Sequence, residues 1–526
     1  MLLRYILALS CFSASSLALQ GQVPLSPAGG NNGPNIASTR ENGPRIFNAL
    51  HSAARQWGSS LKHNGMSFFP ARIPANTALY HGTHTSEPVK GMEWLAFEIE
   101  HAEMFARSKF GRGPGGGRPG GPGRGPPNSE HAGLSSDAIS SKEDENNQPS
   151  NSRSYAPPPM QAAYLHTYRT SRELSRLLYI DGMSAGKTTM GTLDSQDIVL
   201  RNGSEATEFH GETQRAKELC ALGVEWGIEG FVRMEAGFEL ILCNFTDGGL
   251  DFVSALQRPG NDQPEAYDEL SQFEFMRGLA ARYQGITAGR LSLDYSSMVS
   301  AFFYPLNLTN PDESRPELPR LESSEDKGIA RLRSDLRHVL SVESLESHET
   351  IDWQGVVDMI VTRYTDRLQF IVSEHTTRKE VQSEMNFLLT HFVDYKDTDI
   401  TAAKKTCTTH YLNSVVPRTA QDHLIYEAIR AVSQEICNTL FEVREIILRQ
   451  EDSASFGNNP KAPVEQLISY LDWTTWLECV CSLAIWPWGS AEDHYNPSCM
   501  STNETAGRRG YWVGGPGPPL PPGHHH

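Results

Sequence analysis

The spacing of apolar residues changes part-way along this chain, at about residue 260. Before that point, short apolar runs have the length and pattern of strands, as in the segments 164–169 and 238–245. After it, apolar residues recur at helical spacing over long stretches, most clearly in 353–371 and 425–447. The change predicts an α+β N-terminal domain followed by an all-α helical C-terminal domain.

Composition divides the chain further. Segments rich in Gly, Pro, Ser and acidic residues cannot bury enough apolar surface to offset the entropy lost on ordering, and we expect them to be disordered. The predicted segments are a signal peptide at 1–18, a disordered stretch at 19–40, the α+β domain at 41–255 with a disordered insertion at 110–159, the all-α domain at 256–490 and a disordered tail at 491–526.

The N-terminus has the features of a secretory signal. Arg4 supplies a positive charge, an apolar run follows, and Ser16-Leu17-Ala18 has the small residues of a cleavage site. The formal net charge is −17, which argues against a general nucleic-acid binder or a binder of anionic membranes. We therefore expect a secreted, extracellular protein with no nucleic-acid partner and no membrane attachment once the signal is removed.

Secretion makes disulfides and glycosylation the expected chemistry of Cys and Asn. Removing the signal peptide removes Cys11 and leaves an odd number of cysteines, so one thiol has no partner within the chain. We interpret Cys220–Cys243 as one bridge, and Cys499 with Cys479 or Cys481 as another. The sequons predict glycosylation at Asn202, Asn244, Asn307 and Asn503.

One Gly-rich stretch resembles two catalytic loops and fits neither fully. A phosphate-binding loop needs Gly-x-x-x-x-Gly-Lys-Thr, and here Gly182 is one residue too close to Gly186. The same glycines flank Ser184 at the spacing of a nucleophile elbow, so an α/β-hydrolase using Ser184 is an alternative. That fold needs several parallel strands before the elbow, and we favour a Gly-rich turn after a strand.

Metal motifs are incomplete. His101-Ala102-Glu103 matches half of a zinc-deaminase signature, but its Pro-Cys-x-x-Cys partner is missing. His81 and His84 lack the acidic residue and the helical setting of a zinc protease. We predict no metal, and we interpret His101 and Glu103 as surface residues of a helix.

The segments Tyr80-His81-Gly82-Thr83, Trp94-Leu95-Ala96 and Phe238-Glu239-Leu240 follow one another in an order that resembles the ADP-ribosyltransferase superfamily, including its diphtheria-toxin and poly-ADP-ribose polymerase branch. The resemblance covers about residues 45–250 and implies a split, mixed or antiparallel sheet. The whole chain also resembles large secreted protein families of filamentous fungi, which implies no activity.

The resemblance implies NAD as the substrate. Glu239 would stabilise the positive charge that develops on the ribose, and Trp94 would stack on the nicotinamide ring. His81, with Gly82 and Thr83, would hold the other ribose. The reaction would be transfer of ADP-ribose to a protein acceptor of unknown identity, or hydrolysis of NAD. These roles require His81, Trp94 and Glu239 to line one cleft.

Two questions stay open at this level. Glu235 competes with Glu239 for the catalytic place, because alternation puts both on one face of a continuous strand, although Gly237 can interrupt that strand. The other reading of the whole chain is a catalytically inactive secreted binding protein, in which the helical domain carries the function.

Overall fold

The computed structural model describes residues 32–55, 65–106, 162–183, 191–202, 212–235, 237–259, 286–341, 350–397, 399–449 and 459–477. These residues form a ten-stranded mixed sheet between residues 67 and 300 and a helical region between 326 and 471. The predicted fold class, an α+β part followed by an all-α part, is confirmed.

The sheet consists of β1 (Ser67–Ile73), β2 (Ala78–Thr83), β3 (Glu93–Ala96), β4 (Tyr164–Thr170), β5 (Leu174–Met183), β6 (Gly230–Met234), β7 (Phe238–Leu242), β8 (Leu250–Gln257), β9 (Ser292–Leu293) and β10 (Val299–Ser300). Its order is β10-β1-β5-β6-β7-β3-β2-β4-β8, and β9 also pairs with β1. The pair β5–β6 is parallel and the other pairs are antiparallel.

The helices are α1 (Ile36–Glu41), α2 (Gly43–Ser52), α3 (Ile99–Phe105), α4 (Glu212–Trp226), α5 (Thr287–Arg290), α6 (Asp326–Ser341), α7 (Trp353–Val372), α8 (Arg378–Leu389), α9 (Ile400–Thr409), α10 (Ala420–Arg449) and α11 (Ala462–Leu471). The crossover from β5 to its parallel neighbour β6 passes through α4, as a parallel connection requires. Every residue of β6 and β7 is buried, so this hairpin lies inside the domain.

The sheet continues beyond residue 255, where the sequence pattern changes towards helix. Phe68 pairs with Val299, and Ala71 pairs with Leu293. Strands of two residues are too short to produce a recognisable alternation, and only their pairing with β1 makes them strands.

The first two helices pack against the helical region. Arg40 forms an ion pair with Glu427 of α10 at 2.7 Å. The rings of Phe47 and Trp473 stack with centroids 5.7 Å apart, and the side chain of Gln354 donates to the carbonyl of Leu50 at 3.1 Å. The apolar face of α2 is therefore buried by helices that follow it in the chain by more than 300 residues.

The described residues contain two disulfides. Cys220–Cys243 joins α4 to the end of β7, as expected from the sequence, and Cys407–Cys437 joins α9 to α10. Cys479, Cys481 and Cys499 lie outside the described residues. Within those residues, no helix is both long and apolar enough to cross a membrane.

Candidate functional site

The β6–β7 hairpin brings two carboxylates together. Met234 pairs with Phe238, so the chain turns between them, and the N–H of Glu235 donates to the carbonyl of Gly237 at 2.8 Å. Glu239 follows on β7 opposite Arg233. Gly237 therefore lies in a turn between two strands, and Glu235 and Glu239 reach the same place from the turn and from the strand.

Helix α3 covers the face of the sheet that carries Glu239. A Cβ atom on Gly82 would lie 2.3 Å from the carbonyl oxygen of Ala102 and 2.6 Å from the backbone nitrogen of Ala106, so the helix backbone rests directly on β2. Ala102 and Ala106 make this approach possible because their side chains are small. The contact positions His101 of α3 over the hairpin turn.

His101 and the two glutamates form a buried cluster. The ligand-type atoms of His101, Glu235 and Glu239 all lie within 4.8 Å of one another. The His101 side chain is 1% exposed and that of Glu235 is 21% exposed, and the two form an ion pair at 3.5 Å between Nε2 and Oε2. Glu235 is therefore the member of the cluster that meets solvent.

Arg233 holds Glu239 in place. Its Nε donates to Glu239 Oε1 at 2.7 Å, its Nη2 donates to Glu212 Oε2 at 2.8 Å, and its Nη1 donates to Gln196 Oε1 at 2.8 Å. A buried charge is tolerated only when it is paired and hydrogen-bonded, and this guanidinium is both. The network fixes the orientation of the Glu239 carboxyl.

Glu98, directly before α3, lies beneath the same turn. Its Oε2 accepts the backbone N–H of Phe238 at 3.0 Å. A Cβ on Gly237 would lie 2.8 Å from this oxygen and 3.0 Å from His101 Nδ1, so the turn leaves no room for a side chain there. Glu98 is fully buried, and burial raises its pKa to about 7.

The proton affinities of the cluster differ from one group to the next. Burial raises the pKa of Glu239 to about 7, although Arg233 acts in the opposite direction. Burial also acts to raise the pKa of Glu235, but the close contact with His101 and its charge outweigh burial and the pKa is lowered. Burial acts to lower the pKa of His101, and the neighbouring carboxylates outweigh it and raise the pKa. Three titratable groups that lie in contact therefore have pKa values shifted to different extents and in different directions.

Trp94 and Glu239 lie on the same face of the sheet. Tyr80, Ala96 and Glu239 form one cross-strand row, since Tyr80 pairs with Ala96 and Ala96 pairs with Glu239. Residues two apart on a strand share a face, so Trp94, two residues before Ala96, lies on the Glu239 face. Gly82, two residues after Tyr80, lies there too, in contact with α3.

His81 lies on the opposite face, because it is the neighbour of Tyr80 on β2. Its Nδ1 donates to the carbonyl of Trp94 at 2.7 Å, and its ring lies 6.2 Å from that of His166 and 6.0 Å from that of Phe245. Burial lowers its pKa to about 4. The side chains of His81, Trp94 and Glu239 therefore do not line one cleft, because strand alternation separates the first from the other two.

Those of the remaining predicted residues that the structure describes lie outside the cluster. Thr83 pairs with Tyr164 at the end of β2. The sequon residues Asn202, Asn244 and Asn307 are exposed. Ser184 and Asn503 lie outside the described residues.

The interpretation of His101 and Glu103 as surface residues is wrong. His101 is buried in the cluster, and Glu103 is buried and accepts from Arg258 Nε at 2.8 Å. A signal for this was present in the sequence. Glu98, Ala102 and Ala106 recur every four residues and mark the buried side of α3, and His101 lies beside Ala102 on that side.

Comparison with known proteins places these residues in a shared region. A family model described as the YPL277C N-terminal domain matches residues 37–263, which include the whole cluster. The chain is 24% identical over 514 residues to the uncharacterized protein YOR389W of Saccharomyces cerevisiae, covering 82% of this chain and 78% of the relative. It is 30% identical over 250 residues to the uncharacterized protein YPL277C of the same yeast, covering 43% of this chain and 45% of that relative. No solved structure matches the chain.

Proposed function

We propose that the sheet region cleaves an N-ribosidic bond, with NAD as the substrate, and that Glu239 is the carboxylate that acts on the ribose. The observation that carries the proposal is the pairing of Glu239 with Glu235 on one hairpin, on the face that also carries Trp94. The resemblance to ADP-ribosyltransferases supplies the substrate. The ring of His81 lies on the other face, so the three-residue cleft that the resemblance requires is not formed, and no residue is assigned to the second ribose.

The chemistry needs two carboxyl groups in different roles. Cleavage of the bond between ribose C1′ and the nicotinamide nitrogen leaves its electron pair on nicotinamide, which departs neutral, and positive charge develops on the ribose. An ionised Glu239 held by Arg233 stabilises that charge. Glu235, nearer to solvent, takes the proton of the water or acceptor hydroxyl that attacks C1′. Trp94 offers an aromatic surface for the nicotinamide ring.

We also propose that the protein acts outside the cell. The signal-like N-terminus supports this, and so do the bridges Cys220–Cys243 and Cys407–Cys437, because disulfides persist in oxidising compartments.

A second candidate is a binding protein without catalytic activity. The placement of His81 favours it, because a residue that the resemblance assigns to NAD is turned to His166 and Phe245. In that case the cluster around Glu239 stabilises the docking of α3 on the sheet, and the partner binds elsewhere.

NAD turnover separates the two candidates. The full chain, produced through a secretory pathway and kept in EDTA, is incubated with NAD, and nicotinamide release is measured. We expect turnover that Glu239→Gln reduces by roughly 100-fold or more. Glu103→Gln is the matched control, because Glu103 is also buried and paired with an arginine but lies outside the cluster.

The control should keep the wild-type rate, and circular dichroism with thermal unfolding should verify that all three proteins are folded. A folded wild-type protein that releases no nicotinamide would overturn the enzymatic proposal and leave the binding protein. Equal turnover by wild type and Glu239→Gln would remove Glu239 from the mechanism.

A further inference from the structure

The hydrogen bonding of His101 is incomplete. Within the described residues, neither Nδ1 nor Nε2 has a hydrogen-bond partner, and the side chain is 1% exposed. Glu235 Oε2 lies 3.5 Å from Nε2, which is longer than a normal N–H···O bond. A buried polar group without a partner is costly, and such a group in a native protein calls for a ligand or ion that satisfies it.

We propose that His101, Glu235 and Glu239 bind one divalent transition-metal ion, with Zn²⁺ as the best match. An imidazole nitrogen and two carboxylate oxygens are ligands that zinc accepts, and none of the three is a thiolate. This inference does not rest on NAD cleavage. It requires only that the three side chains converge.

The distances suit such an ion. Zinc bonds to nitrogen and oxygen of about 2.0–2.2 Å place the donors of a tetrahedral site about 3.4 Å apart. His101 Nε2 and Glu235 Oε2 are already 3.5 Å apart, and all donors lie within 4.8 Å of one another. The ligands therefore need to move inward by about 1 Å. Because Glu235 meets solvent, a water molecule can complete the coordination.

The surroundings hold the three ligands in position. Arg233 binds Glu239 through Oε1, and Arg233 is itself fixed by Glu212 and Gln196. Gly237 packs closely against the Nδ1 side of the His101 ring, since a Cβ added to Gly237 would lie 3.0 Å from Nδ1. Outer groups that orient ligands in this way are typical of metal sites.

The site also explains why the sequence motifs were misleading. A zinc deaminase completes its His-x-Glu with a Cys-x-x-Cys segment, which this chain lacks. Here Glu103 faces Arg258, and the two further ligands come from the β6–β7 hairpin. The prediction that the chain binds no metal considered only ligands close together in the sequence, in His101-Ala102-Glu103 and in His81 with His84.

Zinc binding can be measured directly on the full chain. Its last three residues, His524, His525 and His526, can bind zinc themselves, so they are replaced by Ala in every protein used. After removal of metal with EDTA and dialysis, ZnCl₂ is titrated by calorimetry without NAD, and thermal unfolding is recorded with and without zinc. We expect one zinc per chain and a rise in the unfolding temperature, because an ion that binds the folded state stabilises it.

Two ligand variants and one control decide the assignment. Glu235→Gln changes a turn residue that meets solvent, and His101→Gln removes the imidazole. Each is expected to weaken zinc binding by roughly 100-fold or more and to abolish the thermal shift, whereas Glu103→Gln should behave like the parent. The proposal is overturned if the parent binds no zinc, or if folded Glu235→Gln and His101→Gln bind it as tightly as the parent. Since turnover is assayed in EDTA and binding without NAD, either proposal can fail alone.

Discussion

His81 and His101 lie on opposite sides of the sheet, the first on β2 and the second on α3, which packs against β2. Their surroundings shift their pKa values in opposite directions. His101 lies among carboxylates that raise its pKa against the effect of burial. His81 donates to a backbone carbonyl beside the ring of His166, and burial lowers its pKa to about 4. The comparison teaches that the groups around a buried histidine, more than its burial alone, decide the direction in which its pKa is shifted.

The two faces of the sheet also differ in the side chains that β7 buries on them. On the face of His81, β7 contributes Phe238 and Leu240, which are fully buried in the apolar core. On the face of His101, the same strand contributes Ile241 to the apolar core and also Glu239, which is buried against Arg233. Apolar burial stabilises without a specific partner, whereas the charged face depends on each of its pairings.

The strongest test of this difference removes the central charge of the cluster. Arg233→Met should lower the free energy of unfolding by about 3–5 kcal/mol, because it leaves buried carboxylates without their cation. Arg337→Met is the control, since Arg337 pairs with Glu225 at 3.2 Å on the exposed surface and should cost less than about 1 kcal/mol. Denaturant unfolding measures both. Similar losses in the two variants would mean that the cluster is no more sensitive than the surface.

The second test uses pH on the His81 face. Between pH 6.5 and about 4 the unfolded chain binds a proton at His81 that the folded chain does not, so this residue makes stability fall as the pH falls, by about 3 kcal/mol in all. His81→Asn has no such proton and should lose correspondingly less stability between pH 7 and pH 4.

Glu98, on the other face, changes the stability of the protein with pH in the opposite direction. Its pKa of about 7 means that the folded chain binds a proton between pH 4.5 and 7 that the unfolded chain does not, so its contribution to stability falls as the pH rises. Only the difference between His81→Asn and wild type therefore isolates His81. Parallel pH curves for the two proteins would contradict a depressed histidine.

The smallest expected effect concerns the contact between Gly82 on β2 and the backbone of α3. Gly82→Ala places a methyl group against the backbone of α3, which must shift, and the expected loss is about 1–3 kcal/mol. Gly33→Ala is the control, because its Cβ would have its nearest neighbours at 3.9 Å. Denaturation midpoints compare them, and an unchanged midpoint for Gly82→Ala would mean that α3 does not rest on β2 as described.

Much of the fold could be predicted from local sequence pattern. The change from strand-like runs to helical spacing identified the two parts of the molecule, and the pairing of Cys220 with Cys243 was expected. The strand that carries Glu239 was also expected, since the segment 238–245 is a continuous apolar run. The short strands Ser292–Leu293 and Val299–Ser300 were not, because two residues carry no periodicity.

The candidate site could be predicted only in part. Glu235 and Glu239 were both recognised as candidates. The histidine expected beside them was His81, whereas the structure places His101 there. No local pattern specifies which helix will lie on which face of a sheet, or which strands will be neighbours in it.

The amino-acid sequence by itself therefore determined the kinds of elements, their order and the two candidate glutamates, because these depend on residues close along the chain. Only the tertiary structure decided that His101 meets those glutamates and that His81 does not. Cross-strand register sets the face of each side chain, and it arises from pairing between segments far apart in the chain.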